Sequence, residues 1–251
     1  MEVVLQALVW ILGGVLILLI FLLLLVCTLF IDPKKTYESD SRFYRALLDG
    51  STTIILWILG VRCRVVGEEK LPKQGNFLFI SNHRSNYDPI IQWTVFKRFR
   101  ISFVSKGANF KIPMYGRLIH RCCFMAIDRE NPRRAMETIN RAAKLLSETE
   151  NSVGVYPEGK RSKDCTLLPF HNGVLKIAKK SGRPLVVSTI EGTENVFSNI
   201  KRLRRTTVTI KILETIDAQR VKATSTADLG EYCAELMKKE LEDKTDDICA
   251  V

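Results

Sequence analysis

The sequence predicts an α/β domain, a layered mixed or parallel sheet covered by helices, that is preceded by an N-terminal transmembrane helix. Two patterns in the 251 residues support this fold class. The segment from Ala7 to Ile31 carries no charged side chain, which is typical of a membrane span. From about residue 62 onward, short apolar runs alternate with segments of helical periodicity, and this order of elements is typical of layered α/β folds.

The N-terminal apolar segment is long enough to cross a bilayer, and we predict that residues 1–35 are a membrane anchor. As a helix the segment extends roughly 37 Å, against a hydrocarbon core of about 30 Å. A cleaved signal peptide is the alternative, but its apolar region is only about 7–15 residues and follows positive charge, whereas Glu2 stands here. Lys34 and Lys35 follow the segment, so the positive-inside bias predicts a single-pass protein with the rest of the chain on the cytoplasmic face.

The net charge of +11 and the pI of about 9.4 indicate anionic partners. Basic residues cluster at 133–134, 160–161 and 201–205. Nucleic acid is one possible partner. Because the chain also has a predicted anchor, we favour membrane lipids with anionic headgroups and phosphorylated substrates, and an acidic carrier protein or coenzyme fits as well. The seven cysteines show neither C-x-x-C pairs nor zinc-ligand spacing, so no disulfide framework and no metal site are predicted.

Residues 36–61 are predicted as an interfacial or buried helical segment ahead of an α/β domain over residues 62–251. Residues 36–50 are polar and helical in pattern. The apolar block from Ile54 to Leu59 is too short to span a bilayer. A buried helix and a helix in the membrane interface both fit this block, and Trp57 is compatible with either.

Seven strands are predicted in the α/β domain, over residues 62–66, 77–81, 101–105, 122–127, 153–156, 185–190 and 207–212. The earlier runs are almost continuously apolar, which indicates strands that are buried on both faces. Helices are predicted after Asn131, an N-cap followed by Pro132, and from about Asn172 to Ser181, where Gly182 ends the helix.

The stretch SNHRSNYDPI, residues 81–90, contains two candidate catalytic residues, His83 and Asp88. An aspartate followed by a proline is typical of a helix start. On this interpretation Asp88 is the N-cap, Pro89 is the first helical residue, and His83 is an ordinary loop residue.

The alternative interpretation of this stretch is chemical. Residues five apart on one helix do not meet, but a turn over residues 84–87 would let Asp88 hydrogen-bond one imidazole nitrogen of His83. The other nitrogen would then be free to act as a base. Ser81 and Ser85 lie close by in sequence, so a serine nucleophile also stays open.

A second candidate stretch, YPEGKRS, covers residues 156–162. A polar turn after a strand is the structural explanation for it. The functional one is that glycine makes the backbone bendable, while Lys160 and Arg161 offer a point charge and a planar guanidinium to phosphate oxygens. The stretch lacks the glycine spacing of a P-loop, so nucleotide hydrolysis is not predicted.

Five polar segments each begin directly after a predicted strand. They contain His83, Lys106, Arg129, Glu158 and Gly192. In open α/β sheets, ligands bind outside the carboxyl ends of the strands. If the strands are parallel, the five segments therefore converge on one edge of the sheet.

Four motifs stand in order along the chain: NHxxxxD at residues 82–88, K, P and G at 106, 113 and 116, IDR at 127–129, and PEGxRS at 157–162. In this order and spacing they resemble the PlsC-type family of glycerolipid acyltransferases, and most of all its 1-acylglycerol-3-phosphate acyltransferases. The resemblance extends from about Leu56 to Asp217.

The resemblance implies an enzyme that moves a fatty acyl group from an acyl thioester to the free hydroxyl of 1-acylglycerol 3-phosphate, giving phosphatidic acid. His83 would be the general base, Asp88 would orient it, and no acyl-enzyme on serine is expected. The implied substrate-binding residues are Lys106, Arg129, Glu158, Gly159, Lys160 and Arg161. The implied partners are membrane lipids, lysophosphatidic acid and the donor, acyl-CoA or acyl-carrier protein. No nucleic acid, no cofactor and no metal are expected.

Three positions depart from the family pattern. Lys160 stands where threonine is usual, and this extra cation suits a phosphate but bears on the acceptor headgroup. Val187 stands where proline is usual, so a chain-length preference is not carried over, and His171 stands where lysine is frequent. Glycerol 3-phosphate or another lysophospholipid stays open as the acceptor. A non-catalytic module that binds anionic lipid is the alternative outside the enzymes.

Overall fold

The computed structural model describes residues 2–248, and in this part of the chain nine α-helices accompany seven strands. The helices are α1 (Glu2–Leu29), α2 (Arg42–Ile58), α3 (Tyr87–Val95), α4 (Tyr115–Arg121), α5 (Pro132–Glu148), α6 (Lys176–Ser181), α7 (Val196–Lys201), α8 (Ala218–Ala223) and α9 (Thr226–Ile248). The strands are β1 (Val61–Val66), β2 (Leu78–Ser81), β3 (Ser102–Lys106), β4 (Met125–Ile127), β5 (Val153–Val155), β6 (Leu185–Glu191) and β7 (Thr206–Ile216).

Helix α1 contains the predicted membrane span. Nineteen residues, Ile11–Leu29, are apolar and long enough to cross a bilayer, and only 6% of that window is buried against the protein. The C-terminal end of α1 contacts the α/β domain, because Tyr44 Oη donates a hydrogen bond of 3.1 Å to the carbonyl of Cys27 and Arg117 donates to that of Thr28. The span therefore projects from the folded domain.

Helix α2 differs from the sequence prediction of a polar helix over residues 36–50 followed by a separate apolar block. The two segments form one continuous helix that begins at Arg42. Its start is fixed by the buried side chain of Arg45, whose Nε donates to Asp40 at 2.8 Å and whose guanidinium also reaches the carbonyl of Ile101. Trp57, at the other end of α2, is 79% exposed and so does not belong to the core.

The sheet is mixed, with strand order β1-β7-β6-β2-β5-β3-β4. The five strands from β6 to β4 are parallel, whereas β7 pairs antiparallel with β6 and parallel with β1. All seven predicted strands form. The strand predicted over residues 122–127 is shorter, because Cys122 caps α4 and Cys123 adopts a left-handed conformation with φ of 59°, which delays the ladder until Met125.

Both faces of the sheet are buried under helices, as the continuous apolar runs indicate. Along β2 and the residue before it, side chains alternate between two cores. Phe77 and Phe79 point to the core that includes residues of α2, α3 and α4. Leu78 and Ile80 point to the core under α5, α6 and α9. The chain is thus a three-layer α/β/α fold.

The helix signals around α5 and α6 are confirmed. The side chain of Asn131 caps α5 by accepting a hydrogen bond of 3.1 Å from the backbone N–H of Arg134, with Pro132 as the first helical residue. The predicted helix from Asn172 begins as a 3₁₀ turn and continues as α6, which ends at Gly182 with φ of 64°.

Candidate active site

The carboxyl ends of the five parallel strands bring the polar segments to one edge of the sheet. His83 follows β2, Glu158 follows β5, Lys106 ends β3, Arg129 follows β4 and Gly192 follows β6. Since β2, β5, β3 and β4 are consecutive neighbours in the sheet, the first four of these residues stand on adjacent strand ends. This edge is where ligands bind in open α/β sheets.

His83 and Asp88 are in contact at this edge. His83 Nδ1 lies 2.7 Å from Asp88 Oδ2, the Asp88 side chain is fully buried, and the His83 side chain is 18% exposed. The same Asp88 oxygen accepts the backbone N–H groups of Arg84, at 2.6 Å, and Ser85, at 2.8 Å. A tight turn before α3 therefore folds around this carboxylate.

The prediction that Asp88 is the N-cap of the following helix is wrong. Helix α3 begins one residue earlier, at Tyr87, and Asn86 occupies the cap position. Asp88 lies inside the first turn, where its carboxylate points back along the chain toward His83. It satisfies backbone donors of the turn instead of the helix, and this geometry lets five residues of separation become a direct contact.

The hydrogen bonds of Asp88 determine which nitrogen of His83 carries a proton. An oxygen that already accepts two backbone N–H groups acts as an acceptor for the imidazole as well, so Nδ1 is the donor. In the neutral ring Nε2 then holds the free lone pair. Nε2 is therefore the basic atom of a ring whose side chain keeps partial exposure, whereas Asp88 has none.

The serines near His83 are not arranged as its nucleophilic partners. Ser81 is fully buried in β2, and the hydroxyl of Ser85 accepts a hydrogen bond of 3.3 Å from the backbone N–H of Tyr87. Among the hydrogen bonds within residues 2–248, the imidazole of His83 is joined to Asp88 and to neither serine. The geometry therefore favours a base that acts on a bound substrate.

Tyr156, the first residue of the YPEGKRS stretch, supports the face of the His83 ring, a role that the sequence did not indicate. The two rings stack with centroids 4.1 Å apart and planes at 12°. Tyr156 in turn stacks on Phe103 and donates a hydrogen bond of 2.7 Å from its hydroxyl to Gln92. Burial raises the pKa of Tyr156 well above its usual range, so the hydroxyl stays protonated and keeps this bond. The only sequence signal was its place at the end of a buried strand.

Glu158 is turned inward, toward the backbone of the site. Its side chain is 1% exposed, one oxygen accepts the backbone N–H of His83 at 2.6 Å, and the other accepts that of Leu168 at 2.9 Å. Burial raises the pKa of Glu158 to about 7, while the two N–H groups act in the opposite direction. The carboxyl thus holds the turn that carries His83 to the loop after β5, whereas the resemblance implied a contact with substrate.

Two further contacts fasten the turn that carries His83. The backbone N–H of Ser162 donates to the carbonyl of His83 at 2.8 Å. The side chain of Asn82 makes two bonds to Ile190, donating to its carbonyl at 3.0 Å and accepting its N–H at 2.7 Å. The NHxxxxD and PEGxRS motifs are therefore joined by direct hydrogen bonds, which explains why they occur together.

Gly159, Arg129 and His171 come together next to this junction. Gly159 has φ of 70°, and a Cβ placed on it would lie 2.9 Å from His171 Cδ2 and 4.0 Å from Arg129 Nε. Only glycine meets both demands, a left-handed backbone and a close neighbour. The structure thus places His171 beside the PEGxRS loop.

The remaining predicted binding residues are solvent-exposed cations around the same edge. Lys160 and Arg161 directly precede Ser162, whose N–H donates to the carbonyl of His83, so both belong to the loop that contacts the turn over residues 83–88. Lys106 pairs in register with Ile127, two residues before Arg129, and it is exposed as well. The edge therefore carries four cations near one histidine.

A groove of about 740 Å³ opens beside the turn that carries His83, between the loop over residues 164–170 and helix α9. Arg84, the residue after His83, lines the groove, and its Nη1 lies 3.6 Å from Glu194 Oε1. Leu167 and Phe170 give the groove an apolar wall. The groove is therefore a partly apolar space that reaches the immediate neighbour of His83.

Comparisons with known proteins agree with this geometry. Residues 62–191, just over half of the chain, match the sequence profile of the acyltransferase family. The 1-acyl-sn-glycerol-3-phosphate acyltransferase of Haemophilus influenzae is 28% identical over 235 residues, which is 90% of this chain and 95% of that protein. The protein of the same name from Escherichia coli K12 is 28% identical over 186 residues, 74% of each chain.

A solved structure shares the fold. The crystal structure of the 1-acyl-sn-glycerophosphate acyltransferase PlsC from Thermotoga maritima superposes with a TM-score of 0.67 at 24% identity. The match covers 94% of this chain and 92% of that one, so it includes the sheet and the helices on both of its faces.

Proposed function

The chain belongs to the acyltransferase family, and from this membership we propose that it transfers a fatty acyl group from an acyl thioester to the free hydroxyl of 1-acylglycerol 3-phosphate, giving phosphatidic acid. The observation that carries the proposal is the 2.7 Å contact between His83 Nδ1 and Asp88 Oδ2 at the edge of the sheet where ligands bind. The names of the relatives support this acceptor. The acyl donor rests on the family resemblance alone.

In the proposed reaction His83 acts as the general base. Nε2 takes the proton of the acceptor hydroxyl as its oxygen forms a bond to the thioester carbonyl carbon, and Asp88 stabilises the imidazolium that results. When the tetrahedral intermediate collapses, the carbon–sulfur bond breaks and the thiol leaves with the proton from His83. Base catalysis of this kind contributes about 10²–10⁴-fold, so the positioning of both substrates supplies much of the remaining acceleration.

Glu158 and Tyr156 act in this proposal by positioning His83. Glu158 fixes the backbone of His83, and Tyr156 fixes the plane of its ring. A base that is held from two sides needs little rearrangement in the transition state, which is how preorganised sites lower barriers.

The acceptor phosphate is proposed to bind among the cations of the edge, with Arg161 as the main contact and Lys160, Lys106 and Arg129 around it. A guanidinium offers two parallel N–H donors to phosphate oxygens, whereas an ammonium offers a point charge. Gly159 serves this site by letting the loop pass close to His171 and Arg129.

The proposed location is a membrane, with α1 as a single span and the α/β domain on the cytoplasmic face. The uncharged window Ile11–Leu29 supports the span, and Lys34 and Lys35 support the orientation. This arrangement suits a lipid acceptor, because the substrate and the enzyme then lie in the same bilayer.

The function is tested with the full chain in membranes and a matrix of acceptors. Lysophosphatidic acid, glycerol 3-phosphate and lysophosphatidylcholine are each offered with acyl-CoA and with acyl-carrier protein, and the protein with His83→Ala serves as the blank. We expect the highest kcat/KM with lysophosphatidic acid. Preference for glycerol 3-phosphate or lysophosphatidylcholine would replace the proposed acceptor, and lipid binding without turnover would point to a binding module.

The phosphate contact is tested separately with Arg161→Ala. We expect the KM for lysophosphatidic acid to rise by about tenfold or more, the loss of roughly one charge-assisted hydrogen bond, while the KM for the acyl donor changes little. Lys222→Ala, an exposed cation on α8, is the matched control and leaves both values unchanged. An unchanged acceptor KM in the Arg161 variant would remove this residue from the proposed site.

A further inference from the structure

A short basic segment, which we call the KRLRR tip, projects from the end of α7 over residues 201–205. All five of its residues are exposed, and four of them are lysine or arginine. The fifth, Leu203, is 90% exposed, more than any other large apolar side chain in the part of the chain that the structure describes. An isolated leucine in water between two pairs of cations has no role in the core or at the active site.

The tip is held in a defined conformation by its own backbone. Leu203 has φ of 53°, a left-handed conformation that leucine rarely adopts. Its N–H donates to the carbonyl of Ile200 at 3.1 Å, and the N–H of Arg204 donates to that of Asn199 at 2.8 Å. The side chain of Asn199 also reaches Thr206 at the start of β7. The fold therefore displays Leu203 at the end of a tight turn.

Exposed aromatic residues flank the tip on both sides. Phe197 on α7 is 58% exposed, with Lys201 Nζ 4.4 Å from its ring centroid. On the other side, a Cβ placed on Gly60 would lie 3.2 Å from Arg205 Cγ, so the end of α2 packs against the tip. That end carries Trp57, 79% exposed, whose carbonyl accepts the N–H of Gly60. The tip is thus adjoined by α7, which carries Phe197, and by the end of α2, which carries Trp57.

We propose that the KRLRR tip, with Phe197 and Trp57 beside it, docks on an anionic lipid surface as a second membrane contact besides α1. The cations lie at the level of the lipid phosphates, and Leu203 enters the boundary with the acyl chains. Basic clusters next to membrane spans bind anionic headgroups, and tryptophan is enriched at membrane interfaces. A nucleic acid would engage the cations but leave Leu203 in water.

The span α1 lowers the free-energy cost of this docking, because it already holds the domain at the bilayer. With the domain tethered to the bilayer, contact of the tip is an intramolecular event at high effective concentration, so a patch of this size is sufficient. The hydrogen bonds of Tyr44 and Arg117 to the end of α1 already restrict how the domain can turn relative to the span. A second contact fixes one orientation of the domain on the membrane, and this orientation does not depend on the proposed reaction.

The test measures the accessibility of Lys201 in the full chain. The protein is reconstituted in phosphatidylcholine nanodiscs and in nanodiscs that also contain phosphatidylglycerol, then acetylated with N-hydroxysuccinimidyl acetate and mapped by mass spectrometry. Lys222 on α8 is the internal control. We expect acetylation of Lys201, relative to Lys222, to fall by about fivefold in the anionic nanodiscs, the factor that corresponds to about 1 kcal/mol for one basic residue near such a surface.

Two variants separate the charges from the leucine. Leu203→Gly keeps the cations and suits the positive φ, so the turn is preserved while the apolar side chain is lost. Arg202→Glu combined with Arg204→Glu reverses the charge and keeps Leu203. We expect each variant to lose most of the protection of Lys201. A single charge reversal elsewhere, Arg133→Glu on the exposed face of α5, serves as the control and leaves the protection unchanged.

Three results would overturn the proposal. Equal acetylation of Lys201 in neutral and anionic nanodiscs would exclude docking on anionic lipid. Protection that appears in neutral nanodiscs and grows with protein concentration would assign the KRLRR tip to contact with a second copy of the chain. Full protection in Leu203→Gly would remove the leucine from the lipid boundary and with it the proposed mode of docking.

Discussion

Replacing Asp88 with asparagine isolates the charge behind His83 while the fold around it is kept. The Asp88 oxygen that accepts from His83, Arg84 and Ser85 is replaced by an amide oxygen that still accepts from all three. The amide nitrogen takes the place of Oδ1, which has no hydrogen-bond partner among the described residues. The variant therefore keeps the turn but no longer carries a negative charge beside the imidazole.

The expected loss follows from the geometry of the pair. The centres of the two charged groups lie about 4 Å apart when Nδ1 and Oδ2 are in hydrogen-bond contact, and at an effective dielectric constant of about 20 their attraction is about 4 kcal/mol. This attraction exists only once the imidazole is protonated, as it is in the proposed transition state. Because 1.36 kcal/mol corresponds to tenfold in rate, we expect Asp88→Asn to lower kcat by about 10³-fold.

The assay is a double-mutant cycle on acyl transfer to lysophosphatidic acid. Asp88→Asn is made in the wild-type chain and in the His83→Ala variant, with thermal unfolding as the control for folding. Since Asp88 acts through His83, we expect its replacement to cost little further activity once the histidine is gone. A loss of less than about tenfold in the single variant, or independent losses that multiply in the double variant, would refute the reasoning.

Three further results are expected. Burial raises the pKa of Glu158 from 4.5 to about 7, so the folded state binds more protons than the unfolded state in this range and loses stability as the pH rises through it. Glu158→Gln should therefore weaken the fall of the thermal midpoint between pH 5 and pH 8, and identical slopes would contradict the assignment. Gly159→Ala should lower the free energy of unfolding by about 1–2 kcal/mol, because alanine is strained at a φ of 70°. The new Cβ should also displace His171 and so raise the acceptor KM. An unchanged acceptor KM would show that this loop does not contact the acceptor. With the acceptor omitted, wild-type protein and acyl thioester should give no burst of free thiol and no gain in protein mass; an acylated protein would show a covalent intermediate.

The sheet was predictable because its strands carry a local signal that their environment reinforces. The run from Phe77 to Ile80 has no polar side chain, since each of its residues faces one of two apolar cores. The positions of the strand ends then predict where the site lies. Once β2, β3, β4 and β5 are parallel neighbours, the polar residues that follow them must stand on one edge.

The helix signal at Asp88 and Pro89 failed for a physical reason. An aspartate before a proline usually caps the helix that follows. Here the Asp88 carboxylate instead accepts hydrogen bonds from three donors on its N-terminal side, the imidazole of His83 and the backbone N–H groups of Arg84 and Ser85. The intrinsic preference of aspartate for a helix N-cap does not include hydrogen bonds that form only once the turn has folded. The same turn, however, is what brings His83 and Asp88 together.

The supports of the site depend on distant parts of the chain. Glu158 meets the backbone of His83 across 75 residues, and Tyr156 reaches the His83 ring from the neighbouring strand. The start of α2 likewise depends on Arg45, whose guanidinium donates to the carbonyl of Ile101. The sequence places Glu158 and His83 on the same edge of the sheet, but it carries no signal for the individual contacts that these partners make.

The most direct measurement of the central claim is acyl transfer to lysophosphatidic acid by the His83→Ala variant, compared with the wild type at equal amounts of folded, membrane-bound protein. If His83 is the base, kcat falls by at least about 10²-fold while the thermal midpoint and the acceptor KM stay close to wild type. A variant that keeps near-normal kcat would contradict the account.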